Sequence, residues 1–183
     1  DNGQTQLTAF SSHWDDAIIL TPTGTDNNNQ YINTGENSAY GLELATRHQI
    51  ERWTLQTASS YVRSRNKDSD LEYGAFPKWL LTFDAQYQLP DLPLMITLHE
   101  RIMASYRESD TIGMDVSDKS GNYYRTDIGL RYRLPGKSSS QNHLYLTVRN
   151  LWNKDNTLPS VYNAEGGIPD FARQITAGLQ LNF

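Results

Sequence analysis

The chain has 183 residues, no cysteine, a formal net charge of −5 and a hydrophobic share of 37%. No apolar run approaches the ~18 to 20 residues that a membrane-spanning helix needs, the net acidity lacks the basic footprint of a nucleic-acid binder, and the missing cysteines remove disulfide scaffolds and thiolate metal sites. Its 4 Trp, 11 Tyr and 5 Phe are too many aromatics for a disordered chain of this polarity.

Taken in chain order, the hydrophobic pattern predicts eight strands and almost nothing with helical spacing. The opening segment, 5–20, is the least regular, because neither Leu7, Ala9, Ser11 nor Phe10, Ser12, Trp14 makes a clean apolar face. Segment 38–48 alternates loosely. From Trp53 to Tyr61 one face reads Trp53, Leu55, Thr57, Ser59, Tyr61 and the other Thr54, Gln56, Ala58, Ser60. Segment 79–89 sets Trp79, Leu81, Phe83, Ala85, Tyr87, Leu89 against Leu80, Thr82, Asp84, Gln86, Gln88. Segment 94–106 carries Leu94, Ile96, Leu98, Ile102 and Ala104 on one face, with Glu100 in the same register. A charge among them is unfavourable if that face meets lipid, so a β-bulge is expected near 98–102 to turn Glu100 away. Segment 124–134 sets Tyr124, Thr126, Ile128, Leu130, Tyr132, Leu134 against Arg125, Asp127, Gly129, Arg131, Arg133. Segment 143–152 alternates loosely, and the last puts Ile175, Ala177, Leu179, Leu181, Phe183 opposite Gln174, Thr176, Gly178, Gln180, Asn182.

The connections alternate between short (49–51, 90–93, 135–142) and long (21–36, 64–77, 107–122, 153–171). The long ones together carry −7, which leaves +2 for the rest of the chain. Short turns at one end and long loops at the other are the layout of an outer-membrane barrel. Aromatics recur eight residues apart on three strands: Trp53 and Tyr61, Trp79 and Tyr87, Tyr124 and Tyr132. Eight residues at ~3.3 Å span ~26 Å along a strand, or roughly 20 Å along a barrel axis at ~40° tilt, close to the height of a lipid-facing band between two aromatic girdles. The expected fold is therefore all-β, an antiparallel transmembrane β-barrel meander of eight strands. A soluble β-sandwich binding module is the competing architecture, but it accounts neither for the aromatic spacing nor for the charges opposite the apolar face on 124–134.

Several segments resemble one family. Tyr31-Ile32-Asn33-Thr34-Gly35 followed by Tyr40-Gly41-Leu42-Glu43-Leu44 resembles the "YxNxG…YGxExE" stretch of TonB-dependent outer-membrane receptors. Phe10 with Asp15-Asp16-Ala17-Ile18 is similar to that family's aromatic strand and Asp-Asp-x-Ile element. Thr126 to Tyr132 resembles its "lDlrlsY" strand, and Val148-Arg149-Asn150-Leu151-Trp152-Asn153-Lys154-Asp155 its "VxNLFDKxY", with Trp152 and Asn153 replacing Phe-Asp. Ile168-Pro169-Asp170-Phe171-Ala172-Arg173 stands where the family has "PGR" before its closing strand. That strand, with Thr176, Gly178, Leu181 and the terminal Phe183, resembles the signal read by the barrel-assembly machinery. The motifs come in family order over nearly the whole chain.

The resemblance implies that residues 1–183 are the C-terminal third of a 22-stranded barrel whose plug lies outside this chain; a complete eight-stranded barrel is the alternative. It also implies residence in the Gram-negative outer membrane, contact with lipid and lipopolysaccharide, and import of a scarce nutrient (an iron-siderophore, haem, cobalamin or similar) driven by the TonB complex acting through the plug. By parity the lumen face holds Glu43, Arg47, Asp84, His99, Arg101, Arg125, Asp127, Arg131, Arg133 and Arg149. The loop aromatics Tyr31, Tyr73, Phe76, Tyr123, Tyr162 and Phe171 are the candidate contacts for a small-molecule ligand. Nothing points to an enzyme or a resident cofactor. His99-Glu100 lacks a second zinc ligand at helical spacing, there is no nucleophile elbow or phosphate loop, and Asp15 and Asp16, as neighbours on a strand, point apart. The four histidines fall on separate strands or strand ends, so no metal site is expected.

Overall fold

Period-two alternation makes a strand whose two faces differ in polarity, and backbone pairing then lines up like faces across neighbours. A computed structural model of the chain describes residues 2–16, 18–23, 28–33, 36–67, 77–109, 116–135, 142–158 and 168–181. Eight strands form one antiparallel sheet: β1 (Asn2–Trp14), β4 (Asn37–Ile50), β5 (Trp53–Asn66), β6 (Trp79–Gln88), β7 (Leu94–Ser109), β8 (Val116–Arg133), β9 (His143–Arg149) and β12 (Gln174–Gln180), in that spatial order. Two small hairpins are not paired into it, β2 (Ile18–Thr23) with β3 (Asn28–Asn33), and β10 (Thr157–Leu158) with β11 (Ile168–Pro169), of which β10 packs on the sheet through Leu158 against Met103 and Tyr123. β1 and β12 are the two edges of the sheet.

The predicted meander of eight strands is present, and the differences are local. The first predicted strand is broken: β1 stops at Trp14, Asp16 takes a left-handed backbone (φ 54°), and Ile18–Thr23 pairs with β3 instead. The segment expected as the 21–36 loop is thus largely a hairpin. β7 and β8 run past the expected strand ends at 106 and 124 and continue pairing through Ser109↔Val116. β9 is shorter than expected and ends at Arg149, because Asn150 and Asn153 both take positive φ (50° and 49°) and fold the chain into a tight turn.

The bulge expected at 98–102 is not there. Leu98, His99, Glu100, Arg101 and Ile102 pair without interruption to Ile128, Asp127, Thr126, Arg125 and Tyr124. The register shifts instead between Met103 and Tyr106, where Ser105 has φ 58°. Glu100 therefore stays on the apolar face, opposite Phe83 on β6. No bulge is needed to find it a partner, because Thr126 Oγ1 donates to Glu100 Oε2 at 2.5 Å and in turn accepts from Trp152 Nε1 at 3.0 Å. Phe83 lies four residues from both Trp79 and Tyr87, which sets Glu100 midway between the aromatic rows.

The apolar face has no second layer among the described residues. Leu7, Leu42, Trp53, Trp79 and Ile175 are all exposed, and the buried apolar residues are only Ala39, Ala85, Met103 and Tyr123. The accessible surface is 12741 Å², against about 8,900 Å² for a compact globular protein of 20.8 kDa. A contiguous apolar face left open on this scale belongs against another apolar medium or partner, and it removes the core that a β-sandwich would require.

Candidate functional site

Cross-strand register gathers the ionic side chains of distant segments into rows on the polar face. Arg47, Gln56, Asp84, His99 and Asp127 follow one another across β4 to β8. Arg101 and Arg125 share the next row, and Glu43 lies in the row of Tyr123. Arg131 and Arg133 sit near the short-turn end opposite Tyr145 and His143, and Arg149 faces Gln174. All nine charges predicted for the lumen thus share one face, six arginines against three carboxylates.

The best-connected part of that face joins three sequence-distant segments. Arg125 holds Asp127 through Nε (2.9 Å) and Nη2 (2.8 Å), a two-pronged guanidinium–carboxylate contact, and its Nη1 reaches Asp170 Oδ2 at 3.4 Å. Tyr123 Oη donates to the same Asp170 oxygen at 2.6 Å. Asp127 also accepts from the Asn150 backbone N–H at 2.9 Å, and His99 Nδ1 lies 2.6 Å from Asp84 Oδ1. Burial raises the Asp170 carboxyl, but hydrogen bonds from Tyr123 and Phe171 N–H, together with the Arg125 charge, outweigh it and leave the group below its ordinary value.

Two asparagines complete this network, and sequence reading missed their roles. Asn156 presents its amide to the β8 backbone as a strand would, with Oδ1 accepting from Tyr124 N–H (3.1 Å) and Nδ2 donating to Tyr124 C=O (2.8 Å). The Asn150 amide donates to the carbonyls of Lys154 and Phe171 and accepts from Lys154 N–H, fastening the turn after β9 to the segment before β12. Asn150 and Asp170 lie inside the quoted motifs and Asn156 just past the first, and no motif announces a side chain that stands in for a backbone pair as Asn156 does.

The aromatic residues are set in cross-strand pairs. Trp53 and Tyr87 have ring centroids 4.4 Å apart at the short-turn end, and Tyr61 and Trp79 4.5 Å apart at the long-loop end. Tyr124 and Tyr132 share that face, and Lys154 Nζ stands 4.0 Å above the Tyr124 ring. Of the expected ligand-contacting aromatics, Tyr31 on β3 and Phe171 beside β12 are each 72% exposed, while Tyr73, Phe76 and Tyr162 lie outside the described residues. Tyr123 is not in a loop. It lies within β8, 1% exposed, because its side chain points to the polar face beneath the Asp170 segment. In the closing strand, Thr176 and Gly178 lie on the polar face, a Cβ at Gly178 would run into the Tyr145 ring, and Phe183 is outside the described residues. The four histidines do not converge among the described residues. The one group there with three mutually close His, Asp or Glu ligand atoms is His13, Asp15 and Glu36, all exposed, with Lys67 Nζ 3.0 Å from Glu36.

Residues 1–151 match the family profile described as TonB dependent receptor-like, beta-barrel. The chain belongs to that family. Among solved structures, this receptor-barrel chain is similar to the FrpB iron transporter from Neisseria meningitidis (TM-score 0.73, 16% identity, 97% of this chain and 28% of that one) and to the copper transporter OprC (0.75, 16%, 100% and 29%). It is also similar to the ferric-catecholate import receptor Fiu from E. coli K12 (0.70, 19%, 98% and 25%). At these identities the likeness is one of fold, and the chain spans under a third of each receptor's length. A comparison with curated proteins finds no match.

Proposed function

We propose that this chain supplies barrel wall and outer loops to a Gram-negative outer-membrane receptor that imports a scarce nutrient using work from the TonB complex. The observation that carries the reading is the two-faced sheet: one face apolar, unpartnered and edged by Trp53–Tyr87 and Tyr61–Trp79, the other a connected ionic wall. The first suits lipid, with lipopolysaccharide beyond the long-loop row, and the second a watery lumen holding a plug. The separate edges β1 and β12 support a third of a large barrel over a closed eight-stranded one, which would join them. The sequence pattern Thr176-x-Gly178-x-x-Leu181-x-Phe183 suits recognition by the barrel-assembly machinery.

The substrate class favoured is a metal chelate such as an iron-siderophore. Structural neighbours transport iron, ferric catecholates and copper, and a wall on which arginines outnumber carboxylates suits an anionic complex. Tyr31 and Phe171 are the described aromatics open to contact it, and Tyr73, Phe76 and Tyr162 remain candidates on sequence grounds. The test is uptake of radiolabelled ferric siderophores, haem and cobalamin by cells carrying the full-length receptor, with and without a functional TonB complex. Accumulation of a metal chelate that disappears without TonB is expected. Uptake that survives its loss would defeat the reading.

A further inference from the structure

The long-loop end of the sheet carries a cluster of ligating side chains that has no part in the lumen wall. β1 and β4 make their last pair at Trp14↔Asn37, and Asp15 and Glu36 lie just beyond it, one on each side. His13 is two residues back along β1 and so falls on the same side of the strand as Asp15. Its Nε2 stands 2.8 Å from Asp15 Oδ1 and 4.0 Å from Glu36 Oε2, and one ligand atom from each of the three residues lies within 4.8 Å of the others. All three side chains are exposed. His13 shares its register with Leu7 and not with Thr8, the partner of Glu43, so the cluster opens on the face turned away from the lumen charges.

From this we infer that the outer end of β1 and β4 is a site for one zinc-class divalent cation, held by His13 Nε2 and by one carboxylate oxygen each of Asp15 and Glu36. Nitrogen and oxygen donors bonded to such an ion at about 2.0–2.2 Å stand roughly 3 Å or slightly more apart, so the present triangle closes with shifts of about an ångström at exposed side chains. A metal site needs no second histidine where carboxylates supply the remaining donors. One imidazole beside two carboxylates selects a zinc-class ion over calcium or magnesium, which take oxygen ligands. Three protein donors leave a fourth position to water. Lys67 Nζ, 3.0 Å from Glu36 Oε2, already neutralises that carboxylate, so the ion and the ammonium compete for it. Once bound, the ion ties the end of β1 to the start of β4 at the stem of the β2–β3 hairpin, which carries the exposed Tyr31. The site lies outside the lumen and does not depend on what the receptor imports.

The test takes the full-length receptor in detergent, stripped with a chelator, and follows carbethoxylation of His13 by diethyl pyrocarbonate with peptide mass spectrometry. This reads one imidazole whatever other metal sites the receptor holds. Micromolar zinc sulfate should slow the modification roughly five-fold or more, since only the metal-free fraction reacts, while millimolar calcium or magnesium chloride should leave it unchanged. The protection should vanish in the double variant Asp15→Asn, Glu36→Gln, and should need less zinc in Lys67→Gln. Equal modification with and without zinc, equal protection by calcium or magnesium, or protection that survives the loss of both carboxylates overturns the inference. Should the double variant fail to insert, the contrast between zinc and calcium in the native receptor still decides. Uptake is not the readout, so the transport reading stands or falls separately.

Discussion

Tyr123 and Tyr124 are adjacent in sequence and opposite in fate. One is enclosed with its hydroxyl on Asp170, the other lies on the apolar face under Lys154, because neighbouring strand residues point to opposite sides. An aromatic pair at a strand's edge does not reveal from composition which member is covered, and the cover here comes from a segment 47 residues away. Glu100 makes the complementary point. Its apolar register was legible, whereas the hydroxyl that receives it, Thr126 on the next strand, depends on pairing. Its position also yields a prediction. If lipid lies against this face, Glu100→Leu in the full-length receptor should raise the unfolding free energy by about 1 kcal/mol, since an acidic side chain at mid-depth is unfavourable there. Urea unfolding in phosphatidylcholine vesicles measures it, and a fall of the same size would argue that the face is not lipid-exposed.

At the level of elements, β5, β6 and β12, which set aromatic or aliphatic side chains against polar ones, were readable to within a few residues, and β8 was readable at its short-turn end but begins at Val116, well before its alternation turns regular at Tyr124. β1 was harder because both its faces mix classes, and its end at Trp14 is decided by the backbone of Asp16, which no pattern of hydrophobicity encodes. The misplaced bulge has the same origin. The shift at Met103–Tyr106 follows from Ser105 at φ 58°, a conformation unfavourable for a side chain with a Cβ by roughly 1–2 kcal/mol. Ser105→Gly should thus raise stability by up to about 1 kcal/mol, the relieved strain less glycine's larger entropy loss on folding, and Ser105→Val should lower it by about 1–2 kcal/mol because β-branching aggravates the same strain. Thermal loss of the folded band on unheated gels would report both. Equal behaviour of the two variants would mean that the bulge does not constrain this residue.

For the molecule as a whole, the fold class was legible because one periodicity repeats on most strands and the loops alternate in length. The site was less so: rows such as Arg47–Asp84–His99–Asp127 exist only once register is set, and register rests on four successive pairings across five strands. The two open edges, β1 and β12, have a practical consequence. Residues 1–183 expressed alone should refold in detergent, if at all, as edge-paired oligomers, and show neither single-channel conductance nor the compact unheated band of a closed barrel. A monomer with both would favour the eight-stranded alternative.

The pairs Trp53–Tyr87 and Tyr61–Trp79 lie on the same two strands, so one hairpin carries both aromatic rims. That hairpin is a ruler with a mark at each end. Once its rims settle at the two water interfaces, the ladder passes the same vertical setting to every strand on either side, and Trp53 and Trp79 become two optical probes of it. Quenching by lipids brominated at stepped positions along the acyl chain would read the depth of the wall from this one pair of strands.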